Sequence, residues 1–278
     1  MQKILHLSDP AWWGTLPCRV APYRDEWLPG LLLRCDEINQ WECGTTLTHL
    51  YGKTSCYTKS HWIVPPPTLL DALSTILAVT LPILLKTTYL LELARCYGMR
   101  HANIAQLGSP LIFRLCPQCI EERQLLMRTA MLPHIRCCSV HQLALVERCQ
   151  CNAMLQPFSS QSHPFICSRC GVHWACLPRL KATSEHLAVE QQVFACFEFF
   201  FTQGTPHLLA CALRLIREKL KKEKVVQVRL LDGKIKRVEH YELTKASLGY
   251  LVDLLVSLDL SPGDLTIEGF SALPAVSQ

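Results

Sequence analysis

Apolar residues recur at helical spacing from Asp25 onward: Trp27, Leu28, Leu31, Leu32, Cys35, Ile38 and Trp41 share one stripe. Asp25 and Glu26 precede it, where a helix N-terminus favours negative charge, and Pro29 is tolerated in a first turn. Residues 42–67 lose the period, read as irregular and close in Pro65-Pro66-Pro67. Two more helices are predicted, from Thr68 to about Val79 and from about Ile83 to Tyr97, with Gly98 as the stop. Another is expected from Cys119 through Met131, turning Ile120, Leu125 and Met127 inward and ended by Pro133. From Ser184, Leu187, Val193, Phe194, Phe197, Phe200 and Phe201 lie on a helix that stops near Gly204. An aromatic stripe of this kind reads first as core, and second as a groove for a partner helix. His207 to Glu223 is amphipathic with a cationic end. The period then falls to two: Val226, Val228 and Leu230 alternate with polar residues, Asp232-Gly233 turns, and Ile235 and Val238 resume, which predicts a β-hairpin. A last helix runs from Thr244 to Leu258, closed by Ser261-Pro262-Gly263.

Between these helices lies a different pattern. Cys116-x2-Cys119 is followed after eighteen residues by Cys138-x2-His141, then by Cys149-x-Cys151 and, fifteen residues on, Cys167-x2-Cys170. Four close pairs make two tetrahedral sets, three cysteines with a histidine and four cysteines, the composition of structural zinc sites. Thiolate and imidazole suit zinc, and four protein ligands leave no position for a catalytic water. Two zinc ions per chain are therefore expected. Sequential pairing is the preferred arrangement, an interleaved one the alternative. Cys149-x-Cys151 is one residue tighter than the usual knuckle, and Cys137, His173 and Cys176 are near enough to substitute. Buried thiols, disulfides or a redox role for Cys116-Pro-Gln-Cys119 explain fewer of the pairs. The predicted fold class is mainly α with small zinc-binding modules. Its divisions are an N-terminal helical domain (1–109, with a helix-turn-helix as an option), a tandem zinc-finger region (110–180) and a C-terminal helical region with a basic β-hairpin (181–278).

Composition narrows the setting. The chain has 278 residues, 49% of them hydrophobic, enough for a substantial core. Its first ten residues are too weakly apolar for a signal sequence, so the sixteen cysteines fit a reducing cytoplasm better than a secreted disulfide scaffold. The most apolar stretch, Leu69 to Leu85, holds Asp71 and is interrupted by Pro82, too short a run for a membrane span of roughly 18 to 20 residues. Net charge is +5, but Arg214 to Lys245 contains eleven Lys or Arg against five Asp or Glu, leaving the remainder near neutrality. Lys221, Lys222, Arg229, Lys234, Lys236 and Arg237 are the candidate nucleic-acid-binding residues in that segment. A solvated face with internal ion pairs is the plainer reading. Phosphate-loop, nucleophile-elbow and His-Glu-x2-His motifs are absent and the eight aspartates are scattered, so no enzymatic constellation is expected.

Several of these residues resemble the TniQ family. Cys116-Pro-Gln-Cys119-Ile-Glu-Glu, Leu132-Pro-His-Ile-Arg-Cys-Cys138-Ser-Val-His141-Gln-Leu, Leu145-Val-Glu-Arg-Cys149 and Cys167-Ser-Arg-Cys170-Gly are similar to its zinc-finger region. Pro22-Tyr-Arg-Asp25-Glu26-Trp-Leu-Pro-Gly-Leu-Leu-Leu-Arg34 is similar to its opening helix, and the matches span about residues 17 to 175. The third pair departs from the family's usual Cys-x2-Cys, and residues 180–278 align with nothing in it. The resemblance implies a non-catalytic target-selection adaptor in DNA transposition. Such adaptors link a target-recognition module to the AAA+ regulator TnsC (or TniC), which recruits the transposase. That module can be a CRISPR effector, either Cascade or a single-protein effector, so DNA, guide RNA and a homodimer are further expected partners. The alternative is an autonomous sequence-specific DNA-binding protein that selects an attachment site.

Overall fold

The computed structural model describes residues 16–51, 62–99, 102, 107, 112–159, 163–223, 227–229, 235–237 and 247–265. The described elements are mainly helical, with little strand. The chain packs as two compact units: Met1–Leu90 with Leu111–Met131 and Arg136–Ala182, and Leu91–Pro110 with Leu132–Ile135 and Thr183–Gln278.

The first unit is organised by helix α1 (Leu28–Ile38), whose residues from Leu28 to Asp36 are all buried. Its helical stripe is the one the sequence shows, but Leu28 to Asp36 are covered on every side, while Ile38 at the end is 51% exposed. Two backbone donors at its start find partners far along the chain: Trp27 N–H donates to Leu126 O (2.8 Å) and Leu28 N–H to Thr87 O (3.0 Å). Amides at a helix N-terminus have no intrahelical acceptor, so these contacts seat the helix. Helix α2 (Thr45–Tyr51) falls in the stretch expected to be irregular. The buried Asp36 carboxylate makes its start, accepting the Gly44 and Thr46 amides (2.7 and 2.8 Å) and the Thr46 hydroxyl (2.6 Å). That contact joins residues ten apart, which an apolar period does not reveal.

Helix α3 (Pro67–Leu77) matches its expectation and ends on Ala78 in the left-handed conformation. The helix expected from Ile83 to Tyr97 is broken into α4 (Leu81–Leu85) and α5 (Leu90–Tyr97). Between them the backbone turns outward to other elements: Thr87 O accepts from Leu28, and Tyr89 N–H donates to Ile63 O (3.1 Å). Helix α6 (Pro117–Arg123) likewise stops well before Met131, at a left-handed Gln124, and a 3₁₀ turn covers Thr129–Met131. Leu126 O is used there by Trp27, so continuing the helix would consume the acceptor that seats α1.

An aromatic column links α1 to the cysteine-rich part within this unit. Trp27 stacks on Phe113 (centroids 6.0 Å apart), Phe113 meets Trp174 (5.5 Å), and Trp174 takes Phe165 edge-on (5.8 Å). Residues before and after the border read at 109 therefore share one core.

In the second unit, α7 (Ser184–Gln203) buries Val193, Cys196, Phe197 and Phe200, so this part of the aromatic stripe is core; Phe194 is 36% exposed. Arg95 of α5 donates to Phe201 O and to Thr202 O (3.1 Å), occupying carbonyls of the last turn of α7. Gly204 follows; a Cβ there would lie 2.1 Å from Phe200 O and 2.5 Å from Cys96 Sγ. Helices α8 (Pro206–Lys222) and α9 (Leu248–Ser257) complete the unit, started by Thr205 and Ser247 side-chain caps. Strands β1 (Gln227–Arg229) and β2 (Ile235–Arg237) pair antiparallel, Val228 opposite Lys236. The Asp232-Gly233 turn expected between them lies outside the described residues.

Candidate metal centre

The eight nominated ligands come together as two groups of four, in sequence order: Cys116, Cys119, Cys138 and His141, then Cys149, Cys151, Cys167 and Cys170. Within each group all ligand atoms lie within 4.8 Å of one another, and each group could hold a metal ion.

The first group stands on α6 and one tight turn. Cys116 is the N-cap of α6 and Pro117 begins it, so Cys119 sits one turn on, beside Cys116. The opposite pair is shaped by Cys138 N–H to Leu143 O and Gln142 N–H to Cys138 O (both 2.8 Å), with Gln142 left-handed at φ 54°. His141 Nδ1 faces inward, 3.3 Å from Cys119 Sγ, 3.5 Å from Cys116 Sγ and 3.6 Å from Cys138 Sγ. Cys119 and Cys138 sulfurs are 3.6 Å apart, and Met127 Sδ lies 3.7 and 3.8 Å from them. Hydrogen bonds from Cys116 and Cys119 hold the Cys138 thiol well below its usual range, while contacts with Cys116 and Cys138 push Cys119 up.

The second group is built from two backbone turns. Asn152 N–H donates to Cys149 O (2.8 Å), with Asn152 left-handed at φ 64°. Gly171 N–H donates to Cys167 O (2.9 Å), at φ 71°. Asn and Gly are the residues that tolerate this conformation best. The short Cys149-x-Cys151 pair thus still closes, by placing its left-handed residue one position earlier than the Cys167 turn does. Cys149 and Cys170 sulfurs are 3.4 Å apart, and Cys151 and Cys167 sulfurs 3.6 Å. Burial pushes the Cys167 thiol up, but the Cys170 and Arg169 amides and the thiols of Cys151 and Cys149 outweigh it and bring the group to about 7. Burial leads in pushing Cys149 up to about 12.

The three named substitutes stand outside both groups. His173 Nδ1 accepts the Ala175 amide (3.2 Å) and caps the 3₁₀ turn Trp174–Cys176, Cys137 bridges to Ala144, and Cys176 is exposed. Antiparallel bridges Leu115–Val146 and Leu143–Lys181 sew the groups together within the unit.

Sequence reading did not single out Glu122, whose Oε2 lies 3.1 Å from His141 Nε2. Its position three residues after Cys119 on a helix was the available signal, since residues i and i+3 share a face. Of the candidate nucleic-acid residues, Lys221 and Lys222 are exposed in the last turn of α8, where cations also suit the helix dipole. Arg229, Lys236 and Arg237 have described backbone in β1 and β2 but not side chains, and Lys234 lies outside the described residues. No described helix is long and apolar enough to cross a membrane.

Fold and site together define a mainly helical protein built around two adjacent Cys/His clusters able to hold metal ions. The family model described as TniQ matches residues 17–145. Just under half of the chain is thus similar to the TniQ family of transposition proteins. The match takes in α1 and the whole first cluster and ends before the second. No curated protein matches the chain.

Proposed function

We propose that this chain is a non-catalytic target-selection adaptor in DNA transposition. It joins a target-recognition complex, such as the CRISPR effector Cascade, to the AAA+ regulator TnsC (or TniC) by binding both. The observation that carries this reading is the TniQ match over residues 17–145, which contains a complete four-ligand cluster. Both clusters take zinc in this reading. A tetrahedron with Zn–S near 2.3 Å and Zn–N near 2.0 Å has ligand-to-ligand edges of roughly 3.5 to 3.8 Å. Six of the twelve ligand pairs lie 3.3 to 3.6 Å apart and all lie within 4.8 Å, close to that size. Zinc there supplies folding free energy to a region made of turns and short bridges. With four protein ligands each ion has no vacant position for substrate, which suits a scaffold and not a hydrolase.

The test is co-sedimentation of the full chain with its cognate AAA+ regulator assembled on DNA with ATP. Retention that requires the regulator supports the adaptor. Loss of retention together with tight, partner-free binding to one defined duplex replaces it with the autonomous DNA reader.

A further inference from the structure

We propose that Glu122 is the positioning residue of the first metal site: by accepting from His141 Nε2 it holds the imidazole so that the Nδ1 lone pair faces the three thiolates. This rests on the zinc reading above. An imidazole ligates with one nitrogen, and the hydrogen bond at the other decides which nitrogen carries the proton. Here Nδ1 lies 3.3 to 3.6 Å from all three sulfurs, so it is the ligating atom, and Nε2 carries the hydrogen that donates to Glu122 Oε2 at 3.1 Å.

The carboxylate is itself held. Gln118 Nε2 donates to Glu122 Oε1 (2.9 Å), so the two oxygens of Glu122 serve different partners. Gln118, Cys119 and Glu122 all belong to α6, and a single short helix delivers both a ligand and the orienting group for the ligand opposite it. The adjacent Glu121 takes a different partner, Arg179, at 2.9 Å, and provides an internal control of equal charge. Glu122 is 44% exposed on its side chain, which places its effect at the lower end of the range for such partners.

The experiment uses the full chain loaded with zinc, and compares wild type with Glu122→Ala, Glu122→Gln and Glu121→Gln in competition against a chromophoric chelator. The expected result is two ions per wild-type chain, with about tenfold weaker retention of one of them in Glu122→Ala. Glu122→Gln should fall between, since its amide oxygen can still accept from Nε2, and Glu121→Gln should match wild type. Nitrogen NMR of the His141 ring gives a readout that a merely stabilising role would not move. The Nε2 proton should be visible in wild type and lost to solvent exchange in Glu122→Ala. If Glu122→Ala holds both ions as tightly as wild type, or Glu121→Gln loses as much, the role of Glu122 is overturned while the zinc reading stands. A wild-type chain that retains no zinc overturns both.

Discussion

Arg34→Met would leave the Glu26 carboxylate of the first unit without the guanidinium that donates to both its oxygens, at 2.7 and 2.8 Å. The pair is buried, with side-chain exposures of 9% for Arg34 and none for Glu26. Its two members are unequally supported. Arg34 also donates to Ala21 O (2.8 Å) and lies over the Tyr23 ring (4.0 Å), whereas Glu26 accepts besides from the Tyr23 amide (2.9 Å). Burial already raises the Glu26 carboxyl above its usual range against the pull of Arg34, so the ionised acid is a net cost to the fold. Either removal strands a buried charge, but only the carboxylate can neutralise itself by taking up a proton, so the two losses should differ in their pH dependence. A stranded carboxylate escapes by protonation. Lifting its pKa from about 4.3 to above neutrality costs about 3.7 kcal/mol at pH 7, which caps the electrostatic loss. The same ceiling is about 1 kcal/mol at about pH 5, so the deficit of Arg34→Met should shrink as pH falls. Glu26→Gln strands the buried Arg34 cation, which cannot lose its proton and keeps Ala21 O, the Tyr23 ring and the new amide oxygen. It should cost about 3 kcal/mol, with a deficit that does not shrink as pH falls. Urea unfolding of the metal-loaded chain, followed by tryptophan fluorescence at both pH values, makes the comparison. A deficit that falls with pH equally in both variants, or an Arg34→Met deficit that ignores pH, would refute the reasoning.

Gly30→Ala puts a Cβ 2.8 Å from Leu126 Cβ and 3.3 Å from Leu126 N. The clash should outweigh alanine's helix preference of about 1 kcal/mol and leave the variant about 1 kcal/mol less stable in the same unfolding assay. Asp36 is pushed up to about 6 by burial, against the hydrogen bonds from Thr46 and Gly44. Its raised folded-state pKa means stability is gained as pH falls from 7 toward about 5, by roughly 1 kcal/mol, and lost as pH rises back through 6. With zinc in excess, Asp36→Asn should flatten that slope, and an unchanged slope would assign it to another group. Cys167→Ser should lower the zinc content from two ions to one, with the first cluster still filled. Loss of both ions, measured by elemental analysis, would show that the clusters do not load independently.

The order and type of the longer helices, and both ligand sets, could be read directly from the chain. Helical period is local, and ligand pairs three residues apart carry their geometry in a single turn. The same locality explains the two early helix ends. Thr87 O and Leu126 O leave the helical ladder to receive the amides of Leu28 and Trp27, some sixty and a hundred residues away in the chain. Nothing in the residues around them reports that demand. Glu122 and Asp36 were equally silent, because an acid's role depends on which donor folding places beside it. In the sequence, Cys149-x-Cys151 was the weak pair. The structure admits it through a left-handed Asn152, a backbone choice visible only once the turn has closed. Chemistry with short spacing was thus settled by the sequence itself. What joins distant segments was decided by the tertiary structure, since each buried amide and carboxylate must find a partner wherever the fold brings one.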